Sequence, residues 1–364
     1  MSDLHLLLAS TDAPVLLRRW GSLAERVTAA GMACTLAAPG LRAVPGAGVA
    51  TPIALPHRAD TTPGAVAAAL ALSASFGQRR PDVLIVDGAR LARPLAEIAR
   101  VFRVPAVIAL VDGGGRDGGT LGRLLAHAAP LESRVDRTLV LGGPGPLAHG
   151  AGVDADLHNP EHDRTADRIL AERAACGEDA RHLVGAVGSP GDVRRLRDQL
   201  WRVARAVRLL PLDPCADEHA LAVRVGACDV VVDLRHDALG LDVLLLAAAL
   251  RVPGLAVAGP SARLLTSAGC GVVPEGRDDE SRIRALRGLL ADPMQRRRLG
   301  AAGRAVAAGA GARRAAEDAV LAAADEVLRE RFGEPLHVTT DGQLRSESEL
   351  REPVVPGRRD LLGG

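Results

Sequence analysis

The sequence predicts an α/β protein of two doubly wound, Rossmann-like domains facing a cleft. Three observations carry this. Short apolar runs alternate with longer amphipathic stretches up to about residue 310. The alternation occurs twice, on either side of a polar, turn-rich stretch at 151–180. Runs such as Val83-Leu84-Ile85-Val86 are apolar without interruption, as in strands covered on both faces. Strands joined through helices imply parallel pairing with right-handed crossovers. The 364 residues fit two domains at roughly 150 residues each.

Each element follows from local pattern. Residues 4–9 read as a strand, and a helix over 16–30 follows, apolar at 16, 17, 20, 23, 24 and 27 and stopped by Gly31. Residues 32–38 form a second strand, closed by Pro39-Gly40. Residues 45–56 are turn-rich, with a short apolar run at the end. Pro63 opens a helix over 62–76. Strands at 83–86, 105–111 and 136–141 alternate with a helix at 91–102. After the junction come strands at 181–187, 207–212, 229–234, 254–258 and 271–274. Helices are expected at 192–206, 217–226, 241–250, 279–290, 295–308 and 315–331. This divides the chain into a first domain at 1–150, a linker at 151–180, a second domain at 181–331 and a tail at 332–364. The tail is polar and rich in Pro and Gly, the composition of a disordered segment.

Composition removes several chemistries. All 45 cations are arginines, against 44 acids, for a net charge of +1. Without lysine there is no Schiff-base chemistry and no P-loop of the GK[ST] type. The balanced charge gives no field for nucleic acid, and the few aromatics give no stacking platform. Five cysteines without CxxC spacing suggest neither a zinc knuckle nor a disulfide framework. The start has no basic n-region, and the apolar runs are too short to span a bilayer. A cytoplasmic protein without a transmembrane segment is expected. His158-x-x-x-His162 has metal-ligand spacing, but Pro160 blocks the helix that would align the pair. No metal is expected there, nor at Asp154-x-Asp156 in the interdomain turn. Arg296-Arg297-Arg298 reads as a solvated helix face, with peripheral contact to an anionic membrane surface as the alternative.

A series of segments in order resembles glycosyltransferase family 4, retaining enzymes of the GT-B fold. Pro81-Asp82-Val83-Leu84-Ile85-Val86 is similar to "PDVVHVH", and Arg103-Val104-Pro105-Ala106-Val107 to "gvPvV". Gly152-Val153-Asp154 through Pro160 resembles the turn that ends the family's first domain. Cys228-Asp229-Val230 resembles "ADVfV", Asp237-Ala238-Leu239-Gly240-Leu241 resembles "EgfGL", and 269–274 resembles "etGlLVp". Leu289-Leu290-Ala291-Asp292-Pro293 and 298–304 follow the closing helices.

The resemblance implies a nucleoside diphosphate sugar as donor, an acceptor of unknown kind, and no bound metal or other cofactor. It implies that Asp237 orients the sugar and that the amides of Gly240 and Leu241, with Gly188, Ser189 and Gly191, hold the diphosphate. Arg235 and His236 stand beside them as further donor-binding candidates. The family's two glutamates stand eight positions apart, and Leu245 occupies the second position here. Its phosphate arginine and lysine are replaced by Ala186 and Pro190. Losing one ionic hydrogen bond costs a ligand about 1.5–3 kcal/mol, so these losses weaken donor binding by powers of ten. Two readings of function follow: a retaining glycosyltransferase with an altered donor site, or a non-catalytic relative acting as binding partner or silent subunit of an active glycosyltransferase. The glycine-rich stretch 112–119, after a strand and facing the cleft, is expected as a flexible connection, with a mobile acceptor loop as the alternative.

Overall fold

The computed structural model describes the chain except residues 1–3, 42–49, 57–60, 113–134, 144, 146, 177–180, 204–205, 215–216, 310, 333–335, 339–343 and 347–364. The first sheet contains β1 (His5–Ser10), β2 (Ala33–Pro39), β3 (Thr51–Leu55), β4 (Val83–Asp87), β5 (Ala106–Asp112) and β6 (Arg137–Leu141). Its strands are all parallel, in the order β3-β2-β1-β4-β5-β6. Helices α1 (Ala13–Ala29), α2 (Thr62–Gln78) and α3 (Ala89–Val101) cover its faces. Asp12 caps α1 by accepting from the Val15 amide at 2.9 Å, so the helix begins before the expected residue 16.

The second sheet contains β7 (His182–Val187), β8 (Val207–Leu212), β9 (Val230–Asp233), β10 (Gly254–Ala256) and β11 (Gly271–Val272). It too is parallel, in the order β11-β10-β9-β7-β8. Its helices are α4 (Asp163–Ala175), α5 (Pro190–Val203), α6 (Glu218–Gly226), α7 (Ala238–Ala249), α8 (Gly259–Ala268), α9 (Asp279–Ala291) and α10 (Pro293–Ala308). A last helix, α11 (Arg313–Phe332), precedes two short antiparallel strands, β12 (Leu336–Val338) and β13 (Leu344–Ser346). Both large sheets thus have the doubly wound form expected, with the carboxyl ends of their strands bordering a common cleft.

Besides helix α8, which the sequence reading does not anticipate, three features differ from it. The stretch 151–180 contains α4, whose one strong apolar contact is Ile169 against Gly226. Of its two large apolar residues Leu170 is exposed, so Ile169 alone marks the packed face and leaves no periodicity to read. Arg173 completes the attachment, donating to the Ala227 carbonyl at 2.8 Å and to Asp229 at 3.0 Å. Next, α11 returns to the first sheet, where Ala316, Val320, Ala324 and Val327 share a core with Leu6, Trp20 and Ile108. Chain position grouped it with the second unit, but an amphipathic helix goes wherever its stripe finds apolar cover. Last, the tail read as disordered contains the β12–β13 pair, with Leu336 opposite Ser346. Among the described residues, no helix is long and apolar enough to cross a membrane.

The return of α11 depends on a tight crossing. Val153 bridges to Ala312, and the Gly152 backbone has φ +74°. A Cβ on Gly152 would lie 2.7 Å from the Ala312 carbonyl oxygen and from the Arg313 backbone. Glu218 secures the other side, 3.0 Å from His158 Nε2 and 2.5 Å from Arg313. Burial opposes its charge, but the His158 hydrogen bond and the Arg313 cation bring its pKa down to about 2. Gly152→Ala is therefore expected to cost about 2 kcal/mol or more in urea unfolding, from left-handed backbone strain and backbone overlap together.

Candidate functional site

The site begins with a charge on the buried face of α1. Leu16, Trp20, Leu23 and Val27 form the apolar stripe, and Arg19 lies on that stripe with only 3% of its side chain exposed. Its guanidinium reaches the carboxyl ends of two strands and crosses to the other unit. Nη1 donates to both Asp87 oxygens at 3.1 Å, and Nε donates to Asp242 on α7 at 2.8 Å. Asp112, ending β5, is 3.8 Å from Nη2. Trp20 Nε1 donates to Asp87 at 3.0 Å. Arg18 adds a second link, 3.7 Å from Asp242 and donating to the Pro214 carbonyl. Burial disfavours the Arg19 cation, but Asp242, Asp87 and Asp112 together hold it charged.

Asp112 keeps 46% of its side chain exposed at the cleft edge. Burial by surrounding protein, with the negative charges of Asp87, Asp237 and Asp242, pushes its carboxyl up to about 6 despite Arg19. With a value of about 6 the carboxyl is mostly ionised at pH 7 yet titrates within about a unit of neutrality, the range of a general base at the cleft.

Asp237 caps α7, accepting from the Gly240 amide at 3.0 Å. Arg235 holds the same carboxylate as a fork, with Nε 3.0 Å from each oxygen and Nη2 2.7 Å from Oδ2. The Gly240 amide expected for a diphosphate is therefore already used. The Leu241 amide donates at 3.1 Å to the Asp237 carbonyl within the helix. Gly240 lacks a side chain for a different reason: a Cβ there would lie 2.3 Å from Asp233 Oδ1. Asp233 ends β9, is buried, and accepts from the amides of Arg235 at 2.7 Å and His236 at 3.3 Å. Its pKa is raised by that burial. His236 occupies a left-handed turn at φ 64° beneath this network.

The Leu241 side chain is fully buried against the loop after β6. A Cβ on Gly142 would come within 2.9 Å of Leu241 Cδ2 and 2.6 Å of Pro260 Cβ. Arg263 on α8 donates to the Gly142 carbonyl, so both helix starts pack on the first unit. Leu245, at the position of the family's second glutamate, has no exposed surface and belongs to the second unit's core.

The glycine-bearing turn before α5 is capped by its own side chains. Ser189 Oγ accepts from the Asp192 amide at 3.2 Å and donates to Asp192 Oδ2 at 2.6 Å. Gly188 packs on Leu234, where a Cβ would lie 2.8 Å from Leu234 Cβ, and Gly191 is exposed. The Asp192 carboxylate supplies the negative charge that a phosphate would bring to this helix start. Arg195, in the second turn of α5, pairs with Asp279 at 2.5 Å.

Sequence reasoning passed over Arg18, Arg19 and Asp87. A signal existed: Arg19 falls three residues after Leu16 and four before Leu23, on the apolar face, where a cation needs a buried partner. The other motifs are local structure. Asp154 Oδ1 accepts from the Asp156 and Leu157 amides at 3.1 and 3.0 Å, an Asx turn. His158 is buried beside Glu218, and His162 stands at the start of α4, so the two diverge. Arg296, read as part of a solvated face, donates to the Leu289 and Leu290 carbonyls at 2.8 and 2.6 Å, closing the end of α9. Among the described residues no group of three His, Cys, Asp or Glu side chains could hold a metal ion. Residues 113–119 of the glycine-rich stretch lie outside the described residues.

No family model and no curated relative matches this chain. Solved structures do. The sucrose-phosphate synthase of Thermosynechococcus elongatus superposes with a TM-score of 0.65 at 16% identity, over 91% of this chain and 99% of that one. A glycosyltransferase from Rickettsia africae gives 0.62 at 8% identity, over 90% and 100%. The UDP-GlcNAc 2-epimerase of Neisseria meningitidis, bound to UDP-GlcNAc, gives 0.59 at 9% identity, over 88% and 99%. The chain has the GT-B fold expected from its sequence.

Two outcomes test this geometry. The folded Asp112 carboxyl titrates above the unfolded value of about 3.9, so this group costs the folded state stability as pH rises towards and through about 6. Asp112→Asn removes that cost: its thermal midpoint is expected above the native one at about pH 7.5, with the gap narrowing as pH falls below about 6 and closing only below about pH 4. Leu245→Glu, which restores the family's carboxylate, is expected to destabilise the chain by about 3 kcal/mol or more in urea, because the charge enters a closed core.

Proposed function

We propose that this chain is a glycosyltransferase-fold protein that acts by binding, as a non-catalytic partner of an active glycosyltransferase. One observation supports this above the others: the groups that resemblance assigns to the donor are engaged inside the protein. Asp237 is held by Arg235, the Gly240 amide is spent on Asp237, and Leu245 is sealed in the core. The charge of the cleft points the same way. Asp87, Asp112 and Asp242 gather around Arg19, Arg18 lies beside Asp242, and Asp237, close enough to act on Asp112, is paired with Arg235. Four carboxylates against three guanidiniums give no surplus of positive charge for a diphosphate leaving group.

The second reading is a retaining transferase with a rebuilt donor site, for which a nucleoside diphosphate sugar is the substrate. Asp237, Gly240 and Leu241 at the start of α7 favour it, as does the raised Asp112. A ligand that binds only the folded state raises its midpoint in proportion to RT ln(1 + [L]/Kd). The expected result is no shift with millimolar UDP, GDP, ADP or dTDP, or with their glucose conjugates. A saturable shift with any of them, lost in Asp237→Asn, would establish donor binding and overturn the non-catalytic reading.

A further inference from the structure

A second site lies at the end of the first sheet away from the cleft. A cavity of about 320 Å³ opens between the last turn of α3, the turn into β5, the start of β6 and the last turn of α11. That volume is at the lower end for small-molecule sites, about 300–1,000 Å³. Ala96, Val104, Val107 and Val135 form a buried apolar floor. Arg100, Arg103 and Arg331 line the rim with a single acid, Asp136.

That acid is neutralised. Its carboxylate accepts from the Val107 amide at 2.7 Å and from Arg331. Arg100 and Arg103 are exposed at the rim, and their side chains have no hydrogen-bond or ion-pair partner among the described residues. Among the described residues, two guanidiniums therefore remain unpaired over an apolar floor.

The backbone adds an independent observation. Arg103 follows the carboxyl-terminal cap of α3 with φ 53°, a left-handed position where glycine is the low-cost residue. Arg251 has the same conformation after α7, at φ 59°, and its guanidinium pairs with Glu161 at 2.7 Å. Arg103 has no such contact to offset its strain. The dipole of α3 explains a cation at Arg100, inside the last turn, but not a side chain at a position that favours none.

We propose that this cavity binds a small dianionic oxyanion, a phosphate group carried on a compact apolar body. The two unpaired guanidiniums balance two negative charges and match phosphate oxygens in fork geometry. The apolar floor receives the body. The site shares no residue with the cleft and does not depend on the reading of the cleft.

The test is calorimetric titration of the full chain with inorganic phosphate and with butyl phosphate. Both are expected to bind, butyl phosphate at least about tenfold more tightly through its buried methylenes. The pair R100A/R103A is expected to weaken both by at least about tenfold, while R297A, an exposed arginine on another face, leaves them unchanged. R103G separates a ligand role from a structural one: it is expected to raise the thermal midpoint by about 2 °C or more while weakening phosphate binding. Equal binding by the native chain and R100A/R103A would overturn the proposal, as would full binding by R103G or no binding of either phosphate. Sedimentation with phosphatidic acid vesicles distinguishes the source. Capture by vesicles without binding of the free phosphates would assign the arginines to a lipid surface and reject the small-ligand site.

Discussion

The arrangement of the two units depends on one buried cation. Arg19 lies on the apolar face of α1, where an unpaired guanidinium costs several kcal/mol of lost solvation. Asp87 and Asp112 from the first sheet and Asp242 from the second unit provide the compensation. Two of those partners are in one unit and the third in the other, so separating the units would take from Arg19 the Asp242 contact and from Asp242 its guanidinium partners. The pairing is thus a constraint on domain orientation more than a source of net stability.

The same constraint shapes the cleft chemistry. Burial, with the negative charges of the carboxylates gathered near Arg19, raises the Asp112 carboxyl to about 6 despite the guanidinium. Asp237 then takes Arg235 as its own partner, and Asp192 caps the helix start before which a phosphate was expected. Each exchange is local and satisfied. Together they leave the Arg235 guanidinium and the start of α5 engaged inside the protein. Arg100 and Arg103, unpaired among the described residues, lie at the far end of the first sheet, over an apolar cavity.

The fold was largely legible before any coordinates. Continuous apolar runs such as 83–86 identified buried parallel strands, and proline and capping residues set the helix starts to within a few residues. What escaped had little apolar content of its own. Helix α4 attaches through Ile169 and Arg173, contacts without period, and β12 and β13 are three-residue strands in a polar tail. Helix α8 was passed over although Pro260 opens it and Gly269 closes it in the left-handed conformation.

The sequence by itself determined the two α/β units and their parallel pairing, and it placed uncharged residues at Ala186, Pro190 and Leu245. These follow from residue type and spacing, which local physics reads directly. Only the tertiary structure decided that α11 closes the first sheet, that Asp237 is consumed by Arg235, and that Arg19 joins the two units. Those outcomes depend on residues far apart in the chain meeting in space, and a charge buried by a distant partner leaves only one local trace, its place on an apolar face.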